Sequence, residues 1–434
     1  MYHHLFMWRF LCGRKISVFF FGFILASPIA VFAEPASGAR GLTLPEAIAE
    51  ALRQNPILQV FTPRLEGLQG KRLTADQNPA IELGLTADNI LGVGQYSDTK
   101  NSEYTLTLSS LIELGGKRQA RVKTLSGRYA LVELERKAQA LTLLGDVTRA
   151  FILALSLQEK REIGREALRL AESSLTLVKK RVEIGAAPEA EALRAQSQLD
   201  QALLDSGKLQ AAFDSSLMEL ATLLGRAQPD FNRLEGDLYA FDVTDNFDGL
   251  FQRASSSPEI RVFASEERLR EAELNMARSL SRSDIRWQVG ARYLEESGDS
   301  ALVLGASIPL FSGRRNRGDV QAAMAARDEV GYRREDAMLS LRARLYRAFR
   351  SHRQSIITVD ALQSKVLPNL RKAQVLTRKA YEKGRYGYME WRLAQEQLLT
   401  AQRQLVDAAA TAFMNQALIE QLTGQSLASV DDDY

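Results

Sequence analysis

Cysteine is almost absent. Only Cys12 carries a thiol among 434 residues, and it stands in a leading segment that is predicted to be removed. The remaining chain can have no disulfide framework and no thiolate nucleophile or ligand. Histidine is nearly as scarce, at positions 3, 4 and 352, so past the leader one chain cannot build a histidine metal cluster or a relay that needs a histidine base. No catalytic residue, metal ligand or cofactor is predicted. The formal charge of +3 is too small for the basic footprint of a nucleic-acid-binding surface, so no nucleic-acid partner is expected. With 28 glycines and 11 prolines, this is no low-complexity chain. After Ala33 no apolar run is long enough to be read as a transmembrane helix, so a membrane crossing would have to be made by strands.

The leader itself is informative. Arg9, Arg14 and Lys15 precede the apolar run Ile16–Leu25, Ser27-Pro28 breaks it, and Val31-Phe32-Ala33 places small residues where a signal peptidase reads. Residues 1–33 are predicted to be a signal peptide, with an N-terminal linker at 34–42. Its loss removes three cations and no carboxylate, which brings the formal charge to zero.

What is present is a repeat. With Gly185 laid on Gly384, the segments Leu177–Ala202 and Leu376–Ala401 share Glu183/Glu382, Glu191/Glu390, Ala195/Ala394, Gln196/Gln395 and Leu199/Leu398. A small shift brings Gly116-Lys117-Arg118 onto Gly313-Arg314-Arg315, and Asn55-Pro56 onto Ser257-Pro258. The period, roughly 200 residues, is far above the solenoid range and marks a duplicated domain. The first repeat is placed at 43–226, an inter-repeat linker at 227–245, the second repeat at 246–425, and a C-terminal tail at 426–434.

Each repeat reads as a helix, two strands, a very long helix and a shorter one. Leu44–Gln54 is amphipathic, with Thr43 as N-cap and Pro45 at the first helical position. Period-two alternation predicts strands at about 80–88 and 103–112, then at about 285–294 and 301–310. Ile285, Trp287, Val289, Ala291 and Tyr293 share one face, against Arg286, Gln288, Gly290 and Arg292. Gly92-Val93-Gly94 lacks the context of a nucleotide loop and reads as a link between strands. Gly116–Glu183 has no proline and an apolar period of three to four, which predicts one helix about 100 Å long. Gly313–Glu382 predicts another of the same length. Helices this long must pack lengthwise as coiled coil.

Four strands cannot close a barrel, and an open sheet would leave backbone groups unpaired in hydrocarbon. Two chains would supply eight strands and three chains twelve. Arg286, Gln288 and Arg292 on the inner face favour the wider, watery twelve-stranded closure.

The elements Ile112-Glu113-Leu114-Gly115-Gly116-Lys117-Arg118 and Ile308-Pro309-Leu310-Phe311-Ser312-Gly313-Arg314 make the chain resemble the TolC family of outer-membrane efflux proteins. So do the tips Gly185…Glu191-Ala192-Leu193-Arg194-Ala195-Gln196 and Gly384…Glu390-Trp391-Arg392-Leu393-Ala394-Gln395, although Trp391 and Arg392 depart from the small apolar residue and leucine of the family pattern. The Glu-Leu-Gly-Gly-Lys-Arg wording, Arg314-Arg315-Asn316-Arg317-Gly318 and Leu234-Glu235-Gly236-Asp237-Leu238 resemble the branch serving heavy-metal pumps of the cobalt–zinc–cadmium type. The resemblance implies a mostly α protein with a small β part. It implies a homotrimer with a twelve-stranded barrel in outer-membrane lipid, continued by an α-helical barrel across the periplasm of a Gram-negative bacterium. Its implied partners are a periplasmic adaptor and an inner-membrane RND pump.

Function then follows as passive conduction, with heavy-metal cations as the expected cargo. Drug or solvent export by the same architecture is one alternative, and a soluble periplasmic coiled-coil adaptor or scaffold is another. The expected adaptor contacts are the hairpin tips Gly185, Ala186, Ala187, Pro188 and Gly384, Arg385, Tyr386, Gly387. Glu189, Glu191 and Glu390 are candidate luminal gate carboxylates, and Tyr104, Trp287, Tyr293 and Phe311 a candidate aromatic girdle. His352 is expected to be solvated or interhelical.

Overall fold

A computed structural model describes residues 41–90, 92–241 and 246–425. The predicted signal peptide with Cys12, His3 and His4, most of the 34–42 linker and the tail 426–434 lie outside the described residues. The first half runs β1 (Gly41–Thr43), α1 (Leu44–Gln54), α2 (Pro56–Gln59), α3 (Phe61–Ala75), β2 (Glu82–Asp88), β3 (Glu103–Ile112), α4 (Lys117–Glu183) and α5 (Glu189–Leu223). After β4 (Arg233–Glu235), the second half runs α6 (Phe247–Ser255), α7 (Pro258–Leu280), β5 (Ile285–Leu294), β6 (Asp299–Ser307), α8 (Ser312–Arg315), α9 (Arg317–Ala361), α10 (Leu367–Glu382) and α11 (Tyr388–Thr423).

The helices start and stop for local reasons. Thr43 and Glu46 form a reciprocal capping box at α1, and Leu44, not Pro45, is its first residue. Pro56 ends that helix and opens α2, where Asn55 caps through Ile57 N–H at 2.9 Å. The 67 residues of α4 form one uninterrupted helix, about 100 Å at 1.5 Å per residue. It packs against α3 and α7 along its first part and against both α5 and α11 along its second.

Three expectations need correction. The segment expected to be one helix over Gly313–Glu382 is not uniform. α8 is a separate turn, and Leu362–Val366 winds as a π-turn between α9 and α10. Pro368 accounts for the second break: it has no N–H and its ring crowds the carbonyl of Ser364, so the wider turn removes a clash. The last strand ends at Ser307 and not near 310, since Pro309 cannot donate to a ladder. Finally, α4 does hold a stretch apolar enough to cross a membrane by length and composition, but 67% of it is buried by protein. Leu141, Leu144, Val147, Phe151 and Leu155 of α4 are core residues, so this apolar character serves packing.

The linkers also hold structure. β1 and β4 pair in parallel, Leu42 opposite Leu234, and Gln158 of α4 both donates to and accepts from the Leu234 backbone at 3.1 and 2.9 Å. His352 is interhelical: it is fully buried, with Nδ1 2.8 Å from the Ala412 carbonyl of α11.

A charged knot holds the two ends of the first half together. Arg226, just past α5, pairs with Glu50 of α1, which is only 6% exposed, and with Asp230. Removing one partner of a buried pair leaves the other charge uncompensated, typically at about 3–5 kcal/mol. Arg226→Met should lower the unfolding midpoint by that energy in a calorimetric or denaturant titration. Adding Glu50→Gln should recover at least half of it.

Candidate functional site

The larger sheet has the order β2-β3-β5-β6, antiparallel throughout. Its register places like with like. Leu85, Leu106, Ala291 and Leu302 form one row across the four strands, and Leu83, Leu108, Val289 and Leu304 the next. These rows stand open: Leu85 is 74% exposed, and Leu302 and Leu304 each 71%. No described helix covers the face, and an apolar surface this continuous marks an interaction site with lipid or protein.

The opposite face is polar. Arg292 donates to Glu103 at 2.8 Å and to Thr105 Oγ1 at 3.1 Å, and Arg286 lies 3.5 Å from Glu82. One side thus suits an apolar medium while the other carries charged and polar side chains. β2 and β6 are the outer strands, each presenting an edge that no other described strand pairs.

The four aromatic residues fall at two levels. Tyr104 and Tyr293 are direct cross-strand partners at the loop end of the sheet. Trp287 sits opposite Ser110 and Ala306 at the helix end, with Phe311 just beyond β6. Trp287 and Tyr293 are six residues apart, about 20 Å along a strand. Phe311 takes φ 63° and is 74% exposed, a left-handed conformation that costs a bulky residue energy.

At the far end of the long helices the two hairpin tips lie side by side. Gly185 (φ 72°) and Gly384 (φ 69°) close α4 and α10 in the same way, each turn returning an amide to a carbonyl five residues back: Ala186 to Arg181 at 2.7 Å, Arg385 to Ala380 at 2.9 Å. Pro188 and Gly387 then cap α5 and α11. Glu189, Glu191 and Glu390 fall in the first turns of those helices, where carboxylates oppose the helix dipole favourably.

One of these carboxylates is engaged. The Tyr381 hydroxyl donates to Glu191 Oε2 at 3.0 Å and so ties the second hairpin to the first, whereas Glu189 and Glu390 are exposed. Arg181 of α4 lies 4.4 Å over the Tyr381 ring and donates to the Tyr381 carbonyl and, at 3.0 Å, to the Ala186 carbonyl. Tyr381 stacks on Trp391 at 5.1 Å, and Tyr388 meets Trp391 edge-on at 6.2 Å. All three rings are about 1% exposed and pack with Val178 and Ala195 of the first hairpin. Trp391, the departure from the family pattern, is thus the centre of a packed cluster. Arg181, Tyr381 and Tyr388 were not singled out from the sequence, although an aromatic triplet spaced 7 and 3 residues around a turn is a helical-face signal. Burial, and then the bond to Glu191, raises the Tyr381 pKa, and burial raises that of Tyr388.

Among the described residues no three histidine, cysteine or carboxylate side chains converge on a metal position. A sheet with one bare apolar face, carried at one end of helices as long as about 100 Å, is the architecture of a membrane-embedded subunit.

The chain belongs to the outer membrane efflux protein family, whose profile matches residues 47–226 and 251–425. It is similar to the cobalt-zinc-cadmium resistance protein CzcC of Cupriavidus metallidurans, at 24% identity over 92% of this chain and 93% of that one. Among solved structures it is similar to the outer membrane protein VceC of Vibrio cholerae (TM-score 0.71, 21% identity, covering 88% of this chain and 96% of that one). It is likewise similar to CusC (TM-score 0.74, 16% identity, covering 88% and 91%). The protein is an outer-membrane efflux channel, and the resemblance to the TolC family carried by the tip and strand-end motifs agrees with this.

Trp391→Ala should cost about 3–5 kcal/mol of local stability. In hydrogen exchange, residues 375–395 should lose protection while β2, β3, β5 and β6 keep theirs. Because the folded Tyr381 holds its proton above the free phenol value of about 10, the stability it contributes is complete below that pH and declines above it. Tip protection should therefore be flat from about pH 6 to 9 and fall beyond 10, and Tyr381→Phe should make the alkaline decline shallower.

Proposed function

We propose that three copies of this chain close their sheets into one twelve-stranded barrel and their long helices into one tube, forming the exit duct of a tripartite efflux system. The carrying observation is the four-stranded sheet with an apolar outer face and two unpaired edges. Twelve strands leave room for a watery lumen lined by Arg286, Gln288 and Arg292, which eight strands filled by side chains would not. Transport is passive in this part of the system. Energy comes from an inner-membrane RND pump, reached through a periplasmic adaptor.

The turns at Gly185–Pro188 and Gly384–Gly387 are the parts that meet the adaptor. In this reading the Tyr381–Glu191 bond and the Arg181 bridge hold the tips together, and adaptor engagement spreads them. In a trimer, Glu189, Glu191 and Glu390 stand near the narrow end, where luminal carboxylates attract cations. Tyr104 and Tyr293 at one level, with Trp287 and Phe311 at the other, fit an apolar band flanked by aromatic girdles. Metal cations are the proposed cargo, supported by a full-length relative named for cobalt, zinc and cadmium resistance.

Planar-bilayer recording tests the proposal. The purified protein should behave as a trimer in detergent and give discrete conductance steps, and cation selectivity should fall when Glu189, Glu191 and Glu390 are all changed to glutamine. A deletion strain should become sensitive to cobalt, zinc or cadmium salts. A water-soluble monomer without conductance would overturn the duct. Sensitivity to solvents alone would keep the duct and overturn the cargo.

A further inference from the structure

The junction between sheet and helices carries cations that form no ion pair with another described residue. Three segments meet there. Leu114 N–H donates to Asp284 at 3.0 Å, Ser283 Oγ donates to the Pro309 carbonyl at 2.6 Å, and Asn316 Nδ2 donates to Ser281 Oγ at 3.1 Å. Asp284 is occupied by Lys117 at 2.7 Å, Glu113 by Arg121 and Glu82 by Arg286, while Asp319 is exposed at the start of α9. Arg118 donates to Asn78 Oδ1 at 3.3 Å, and its one carboxylate neighbour among the described residues is Asp76, at 3.9 Å. Arg282, Arg314, Arg315 and Arg317 are exposed and make no ion pair with another described residue.

Some of these charges also sit against the usual preference of helices. α4 begins with Lys117 and Arg118 and has no acid in its first turn, whereas Arg314 and Arg315 close the short turn α8. α9 begins with Arg317, with Asp319 its one first-turn acid. Cations at a helix N-terminus are disfavoured by the dipole, so an anion from outside would relieve two penalties at once.

The apolar face runs directly into this belt. A hollow of about 560 Å³ is framed by Leu114, Ile285, Ile308 and Arg282. Beside it a second, about 580 Å³, is framed by Ile81, Ile112, Trp287 and Arg118. In each, side chains at the end of the sheet's apolar face meet an arginine within one concavity. Leu310 and Phe311, 71% and 74% exposed, continue the apolar surface to Arg314.

We infer that this belt is a binding surface for anionic phospholipid at the helix-side rim of the membrane, with the headgroup phosphate on Arg282 and Arg118 and the acyl chains along the apolar face. The inference rests on the duct reading above, which places that face in lipid. Charge complementarity and continuity with the apolar face choose the occupant: a soluble anion would use the arginines and leave the leucines and isoleucines bare, whereas a phospholipid fills both parts of each hollow. Arg314, Arg315 and Arg317 add attraction along the rim, and each cation near an anionic surface strengthens association several-fold.

Trp287 lines one hollow and reports on it directly, while Trp391 is buried at the distant tip. The full protein is reconstituted in bilayers containing brominated phosphatidylglycerol or brominated phosphatidylcholine, and tryptophan quenching gives the relative affinity of the rim for each. A severalfold preference for phosphatidylglycerol is expected. It should be lost in R118Q/R282Q/R314Q/R315Q and retained in the matching lysine variant, which keeps the charge and controls for folding. Equal quenching by both lipids in the wild type, or an unchanged preference in the glutamine variant, would overturn the inference. So would displacement of the lipid by millimolar inorganic phosphate, which would point to a soluble anion. If the glutamine variant fails to assemble, the wild-type comparison of the two lipids still decides. Failure of the duct reading looks different, because a protein that never inserts would show no quenching by either lipid.

Discussion

In hydrocarbon an unpaired backbone amide or carbonyl costs several kcal/mol, and β2 and β6 each present a row of them. The apolar face between those edges demands lipid, and the edges forbid it unless another strand is supplied. In the trimer proposed above, β6 of one copy pairs with β2 of the next and the conflict is resolved. Everything below the sheet follows from that closure. Once strands are arranged around an axis, the helices continuing from β3 and β6 are arranged around it too. α4 and the α9–α10 pair then become staves of a tube, and their length becomes the reach of the tube below the membrane.

In that proposed arrangement the duplication gives one chain two staves, and the imperfections of the repeat separate the roles of its halves. At the strand-to-helix corner the first half uses Gly115 and Gly116, both at positive φ, where glycine is free of strain. The second half turns the same corner through Phe311, which accepts a left-handed backbone and leaves an aromatic ring in the open. At the tips, the second half supplies Tyr381, Tyr388 and Trp391, whereas the first supplies the Arg181, Glu191, Val178 and Ala195 that receive them. Complementarity between repeats, more than likeness, is what joins the two hairpins.

Much of the fold was legible in the sequence because its signals are local and periodic. The strand alternation predicted which residues share a face, and the register aligns those faces across all four strands. The unbroken run from Gly116 onward predicted α4, and Gly185 and Gly384 predicted the two reversals. Signals that depend on partners distant in sequence were not legible. Trp391 read as a departure from a pattern until Tyr381 and Tyr388 closed around it. The apolar middle of α4 is core because α1, α5, α11 and the β1–β4 pair cover it. The rim arginines lie in segments about 160 and 30 residues apart, and become one belt only when β3, β5 and β6 bring their ends together. The break before α10 was legible in principle, since Pro368 stands in the sequence and requires one.

The central claim is that the sheet is completed by other copies of itself, and the edge strands test it most directly. Past Cys12 the chain has no cysteine, so engineered thiols report without background. One cysteine is placed in turn at positions along β2 and another along β6, and the protein is oxidised in its native membrane. If β2 of one copy pairs with β6 of the next, some positions will give covalent dimers and trimers, with the ladder ending at trimer. Monomer at every position, or a ladder that stops at dimer, would contradict the twelve-stranded closure.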